Sequence, residues 1–208
     1  MLTDKQGTLQ VTGTGKVQVT PDEAAIHLGV VTEGKTAADA TANNARRTQA
    51  VIDAVSKLPN HGVTTEGLSV SPIISYDPNT RVGTIVGFRA TNGVEVTTKV
   101  AYAGQVYDAG IGAGANQSSD ITFRVQDETP YREDALRIAV EAAQREAELV
   151  AKIANVDIKG AETIHIEPPG SRFFFRAEAI DLKAASTPVI PGEKTISATV
   201  QILFRTRD

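Results

Sequence analysis

The sequence predicts an α+β domain: a mixed, largely antiparallel sheet covered by two long helices and one short helix. Three observations carry that expectation. Period-two alternation marks long strands at both ends of the chain. Two segments of helical period begin at capping signals. Strand runs of hairpin type are interspersed with helices, which favours antiparallel pairing with helices on one face.

The first strand runs from Thr8 to Thr20. Leu9, Val11, Gly13, Gly15, Val17 and Val19 share one face and Thr8, Gln10, Thr12, Thr14, Lys16 and Gln18 the other, the pattern of a half-buried strand. Pro21-Asp22 turns the chain, and Ile26, Leu28 and Val30 alternate with His27 and Gly29 in a second strand. Thr36-Ala37-Ala38-Asp39 is a variant capping box that opens a helix to about Leu58, with Ala38, Ala42, Ala45, Ile52 and Val55 as its apolar stripe. Pro59 ends it.

Leu68 to Tyr76 reads as a strand, and Pro72 within it, lacking an N–H, places it at a sheet edge or a bulge. Val82 to Val100 is strand-rich, with Phe88, Ala90, Val94, Val96 and Val100 on one face. Asn92-Gly93 within it is either a two-residue hairpin turn or a bulge in one long strand. A short Gly/Ala-rich helix is expected over residues 103–114 and a strand over 121–125. Thr129-Pro130 opens the longest helix, with Leu136, Val140, Ala143, Ala147, Val150 and Ala154 as its stripe and Arg137, Glu141, Arg145, Glu148 and Lys152 on the wet face. Its length, about 40 Å at 1.5 Å per residue, predicts an elongated molecule. A strand over 161–167 follows, then a long loop over 168–191, then a last strand with Ile196, Ala198, Val200, Ile202 and Phe204 facing in. The chain is therefore read as one domain, 1–208, with a flexible segment at 1–7.

Composition excludes several classes of function. Of 208 residues, 41% are hydrophobic and 22% charged, and the net charge is −4, so no clustered basic face for nucleic acid is expected. With no cysteine, thiolate catalysis, disulfides and Cys-ligated zinc are impossible. No apolar run approaches the roughly 18 residues that span a bilayer. Residues 1–7 lack the basic and apolar regions of a secretion signal.

Active-site readings fail on spacing. Thr12-Gly13-Thr14-Gly15-Lys16 lacks the phosphate-loop glycine, since Gln10 stands five residues before Gly15, and Val17 replaces the hydroxyl residue after Lys16. The two glycines are read instead as a place where another element packs close to the strand. Gly110-Ile111-Gly112-Ala113-Gly114-Ala115 fits a loose dinucleotide pattern, but a helix enters it and a strand leaves it, the reverse of what a pyrophosphate needs; it is read as a helix end packed tightly on the sheet. His27, His61 and His165 are scattered and no metal-ligand spacing is present, so no metal or cofactor is expected. Gly67-Leu68-Ser69-Val70-Ser71 lacks the second glycine of a nucleophile elbow. The acids Asp127-Glu128 and Glu133-Asp134 sit at a helix start, where they suit the dipole.

The most unusual stretch is Arg172-Phe173-Phe174-Phe175-Arg176, with three of the six phenylalanines inside the long loop. Either the rings fold back on their own sheet or they anchor a second copy of the chain, because aromatics and Arg are favoured at interface centres. Insertion into a membrane surface is a third reading.

Val11-Thr12-Gly13-Thr14-Gly15-Lys16-Val17-Gln18-Val19-Thr20-Pro21-Asp22-Glu23-Ala24, Thr36-Ala37-Ala38 with Asn43-Asn44-Ala45, Gly87-Phe88-Arg89-Ala90-Thr91-Asn92, Gly112-Ala113-Gly114-Ala115-Asn116 and Val189-Ile190-Pro191-Gly192-Glu193 together resemble the SIMPL domain family. The resemblance runs from about residue 8 to 206. It implies an α+β fold, with kin among bacterial periplasmic immunogenic and oxidative-stress-associated proteins and an animal branch associated with a pelle-like kinase. It also implies ring-like homo-oligomers for some members, no established catalytic residues, and one bulged strand through Asn92. The location it implies is periplasmic, envelope or secreted if a leader has been removed, and cytoplasmic if Met1 is the native start.

Three functions compete. The first is a non-enzymatic, self-assembling envelope protein, with itself as partner and a stress-related role implied by the resemblance. The second is a module binding a small ligand or a signalling partner, which needs a concave pocket beside residues 110–115. The third is a hydrolase, which needs polar groups to converge in a pocket.

Overall fold

The computed structural model describes residues 6–168, 170–174 and 186–207. In chain order the elements are β1 (Gln6–Val19), β2 (Glu23–Gly34), α1 (Ala37–Val55), β3 (Gly62–Tyr76), β4 (Gly83–Lys99), a 3₁₀ turn (Val100–Tyr102), α2 (Ala103–Gly112), β5 (Gln117–Ser118), β6 (Thr122–Arg124), α3 (Thr129–Ala154), β7 (Asp157–Ile166), β8 (Gly170–Phe174) and β9 (Glu193–Arg207). The α+β class holds, but the strands form two antiparallel sheets rather than one mixed sheet. Backbone contacts gather the chain into two compact units, one from Met1–Thr20, Val125–Ala177 and Gly192–Asp208, the other from Pro21–Arg124 and Glu178–Pro191.

In the first unit β9 is central. β1 pairs along its whole length, from Gln6↔Arg207 to Val19↔Lys194. On the other side β7 takes the C-terminal part of β9 and β8 the N-terminal part. The expected alternation is present: Val11, Val19, Ile196, Ala198, Val200, Ile202 and Phe204 are buried. Residues 6–7 belong to β1 rather than to a flexible end, and Gly170–Phe174 form a strand inside the expected loop.

α3 packs through Ala135, Ala139, Ala143, Ala147 and Ala151, one residue per turn. Ala143 and Ala147 of the predicted stripe are in this row, but the rest is corrected: Leu136 and Val140 only flank the contact, Ala154 is exposed, and Val150 is exposed with Leu149 and Ile153. The reason is distance. A Cβ built on Gly13 would lie 2.0 Å from the Ala139 carbonyl oxygen, and one on Gly15 would lie 1.9 Å from that of Ala135. A helix this close to a strand has room only for methyl groups between them. Thr12–Lys16 is thus a packing site, as the sequence reading expects of its glycines. Asp127 caps the helix start by accepting the Thr129 N–H at 2.9 Å, which holds its carboxyl below the usual aspartate range. Asn155, left-handed at φ 56°, closes the other end.

In the second unit β2 is central. β4 runs along one side, from Glu23↔Lys99 to Gly34↔Phe88, and the short β5 and β6 share the other. β3 is the outer strand beyond β4, so Pro72 does sit on an edge strand, and β3 begins at Gly62 rather than Leu68. β4 passes through Asn92-Gly93 without turning; the irregularity lies opposite, where Glu66↔Gly93 is followed by Ser69↔Thr91 and β3 carries an extra residue.

α1 and α2 cover the face of this sheet that carries Ile26, Leu28, Val30, Val94 and Val96. Thr36 caps α1 by accepting the Asp39 N–H. The buried row of α1 is Ala40, Asn44, Thr48, Val51 and Val55; Ala38, Ala42 and Ala45 of the predicted stripe are exposed. Two polar residues lie inward because they are satisfied there. Asn44 donates to the Val30 and Ala90 carbonyls at 2.7 and 3.1 Å, and Thr48 donates to Asn44 Oδ1. α2 seats Gly110 on Leu28, where a Cβ would come within 2.3 Å of Leu28 Cδ1. The expected tight packing of the Gly-rich segment is thus found at Gly110, whereas Gly112 and Gly114 have nothing within 4 Å of a Cβ position.

Candidate functional site

β3 and β4 continue past the end of β2 as a two-stranded arm. β4 leaves β2 at Phe88, whereas β3–β4 pairing runs on from Pro72↔Phe88 through Ile74↔Ile85 to Tyr76↔Gly83. Residues opposite one another in an antiparallel pair point to the same face. Ala90 lies in the core, so its partner Val70 continues the core face, and Pro72, Ile74 and Tyr76 follow at period two. That face outruns its helices. Leu68 is 72% exposed, Val70 50%, Ile74 45%, Tyr76 67% and Ile85 56%, and Val82 and Val86 are also exposed. The tip is a built turn. The Asp77 carboxylate accepts the Thr80 and Asn79 N–H groups at 2.9 and 2.8 Å, and these bonds hold its carboxyl below the usual range.

The predicted interface segment divides. Arg172, Phe173 and Phe174 lie in β8, with backbones opposite Thr195, Lys194 and Glu193. Phe175 and Arg176 lie outside the described residues. β8 pairs only with β9 among the described strands.

The other face of the second sheet brings together three polar groups that the sequence keeps far apart. His27 on β2 stands directly opposite Glu95 on β4. Its Nδ1 donates to Glu66 Oε1 at 2.9 Å and lies 3.7 Å from Glu95 Oε2. His27 and Glu66, with Gln117, Ser118 and Ser119, border a cavity of about 470 Å³ with the opposed glycines Gly29 and Gly93 in its lining. His61 instead pairs with Glu23 at 2.7 Å, and His165 lies on β7 in the first unit opposite Gln201. Ser69 and Ser71 lie on β3 beside its bulge, not on a strand-to-helix elbow.

A second cavity, about 630 Å³, is lined by Thr32, Glu33, Asn43, Arg46, Arg47, Ala50 and Ala113. Arg46 donates to Asn43 Oδ1 and Arg89 to Glu33. Within α2, Asp108 accepts the Thr187 hydroxyl at 2.5 Å and its N–H at 2.9 Å, and both bonds lower its carboxyl from the usual range. No helix among the described residues is long and apolar enough to cross a membrane.

Comparison with known proteins places these features in context. The model of SIMPL, described as a protein of unknown function (DUF541), matches residues 9–204. The chain is 27% identical over 216 aligned positions to the 26 kDa periplasmic immunogenic protein of Brucella melitensis biotype 1, covering 98% of this chain and 86% of that one. The protein of the same name from Brucella abortus strain S19 is likewise 27% identical with the same coverage.

Proposed function

We propose that this chain, which belongs to the SIMPL family, is a non-enzymatic protein of the bacterial periplasm or envelope that works by assembling with copies of itself. The observation that carries this reading is the bare apolar face of the β3–β4 arm. Five large apolar side chains, Leu68, Val70, Ile74, Tyr76 and Ile85, stand between 45% and 72% exposed on two strands that no third described strand joins beyond Phe88. Exposed apolar patches and open strand edges are where chains associate. A second copy fits because the outer edge of β3 pairs with no other described strand, so another β3 can satisfy it in antiparallel register and set the two apolar faces side by side in one continuous sheet. The periplasmic location rests on the printed names of the two Brucella relatives.

Light scattering after gel filtration tests the reading at a protein concentration of tens of micromolar. An oligomer is expected, and the double variant Ile74→Ser/Ile85→Ser is expected to shift it toward one chain. A wild-type protein with the mass of one chain overturns the proposal. The Arg172–Arg176 segment is the second candidate contact. Phe174→Ser lowers the mass if that segment anchors the assembly and leaves it unchanged if the arm does so alone.

The cavity beside Ala113 favours a second reading, a module for a small acidic ligand. It has the concavity that this reading requires next to the Gly-rich segment, and Arg46 and Arg47 border it. Native mass spectrometry tests for a co-purified anion. A clean spectrum, with no shift on adding small carboxylates or phosphates, counts against it.

A further inference from the structure

Clusters of His and carboxylate on a sheet face are usually plain ion pairs, but this one is built across three strands. Glu66 belongs to β3 and His27 to β2, with β4 between them. The two meet only because β4 has no side chain at the point of crossing. A Cβ on Gly93 would fall 2.9 Å from Glu66 Cγ and 2.8 Å from the Glu66 carbonyl oxygen. Gly93 is paired with Gly29, so two opposed positions carry no side chain between the His27–Glu95 pair and the polar rim of Gln117 and Ser118. The β3 bulge begins at Glu66 itself, and the next residue, Gly67, has φ +66°.

The donor geometry suits a metal ion. One ligand atom from each of His27, Glu66 and Glu95 lies within 4.8 Å of the others. The Nδ1 separations are 2.9 Å to Glu66 and 3.7 Å to Glu95. Ligands held at about 2.1 Å from one ion stand roughly 3.0–3.4 Å apart in octahedral or tetrahedral arrangement, a spacing these distances bracket. Charge points the same way, since two carboxylates face one imidazole. The His27 and Glu95 side chains are each 23% exposed, so both are largely withdrawn from water, while His27 and Glu66 border the cavity.

We propose that His27, Glu66 and Glu95 form a binding site for a divalent transition-metal ion of the zinc or manganese class, with its remaining positions open to water in the cavity. An imidazole nitrogen with two carboxylates selects these ions over calcium and magnesium, which take oxygen ligands. Binding needs the Nδ1 lone pair of His27, so the proton that it donates to Glu66 is displaced as the metal enters. The site stands whether or not the chain self-assembles through its arm.

The test is calorimetric titration of the untagged full-length protein, stripped with chelator and dialysed, with zinc chloride, manganese chloride and calcium chloride in turn. One zinc or manganese per chain is expected, with affinity falling at least tenfold in both His27→Gln and Glu66→Gln. Gly93→Ala, which displaces Glu66 without removing a ligand, is expected to weaken binding as well. Glu66 is half exposed, so its variant carries the test even if His27→Gln does not fold by circular dichroism. Absence of binding at about 1 mM metal overturns the proposal. So does binding that survives both substitutions, or calcium binding as tight as zinc.

Discussion

Replacing Gly15 by alanine tests the helix–strand contact on which the first unit is built. The new Cβ falls 1.9 Å from the Ala135 carbonyl oxygen, 2.8 Å from the Ala139 nitrogen and 2.9 Å from the Ala135 carbonyl carbon. All three are backbone atoms, so no rotamer change relieves the clash. Reaching even 3.0 Å, below which real Cβ contacts are essentially never found, requires α3 to withdraw by 1.1 Å at that turn. The same helix buries Ala139, Ala143 and Ala147 against Val11, Val200, Ile202 and Phe204, so withdrawal loosens a row of contacts. Overpacking of this kind costs about 3 kcal/mol. The opposing gain, a stiffer unfolded chain, is worth about 0.4–1 kcal/mol. Destabilisation therefore wins, and a fall in Tm of roughly 5–10 °C is expected by scanning calorimetry for a chain of this size. Gly112, at the end of α2, has nothing within 4 Å of its Cβ position, so Gly112→Ala is expected to leave Tm level or raise it slightly. A Gly15→Ala protein that melts within about 2 °C of wild type refutes the close-contact argument.

Further predictions concern buried and capping polar groups. Asn44→Ala removes the donor to Val30 and Ala90 from inside the second unit. It is expected to cost about 1–3 kcal/mol, read as a lower urea midpoint with unchanged slope. Asp108→Ala removes both bonds to Thr187, and hydrogen exchange at the Thr187 amide is expected to speed up. That contact also depends on pH. The folded carboxyl of Asp108 is lowered, so its contribution is complete above the ordinary aspartate value of about 3.9 and fades as pH falls through the lower folded value. Thr187 protection that stays constant down to pH values well below that range contradicts the assignment.

What the sequence reveals and what it hides follow from the range of the forces involved. β1 and β9 are legible because one face of each is buried, and period-two alternation reports that directly. Gly13 and Gly15 are legible as a close approach, but the partner is not, since alanines spaced by four look weaker than the Leu136 and Val140 beside them. Counting apolar residues therefore finds Ala143 and Ala147 but adds the flanking Leu136 and Val140 and passes over Ala135, Ala139 and Ala151. In α1 the same count passes over Asn44 and Thr48, whose burial depends on carbonyls from two distant strands. β5 and β8, two and five residues long, owe their pairing to β2 and β9 rather than to any local pattern. The His27, Glu66 and Glu95 cluster is not legible in the sequence because it exists only in the register of three strands. A faint signal was present: His27-x-Gly29 and Gly93-x-Glu95 are mirror-related, and setting the glycines opposite one another sets His27 opposite Glu95.

The claim that the β3–β4 arm joins copies of the chain is tested most directly by peptide-level hydrogen exchange at two protein concentrations, one dilute and one well above the assembly range. The account predicts that amides within residues 68–86 gain protection at the higher concentration, while α3 and β1 exchange equally in both. Identical exchange across the arm at the two concentrations contradicts it.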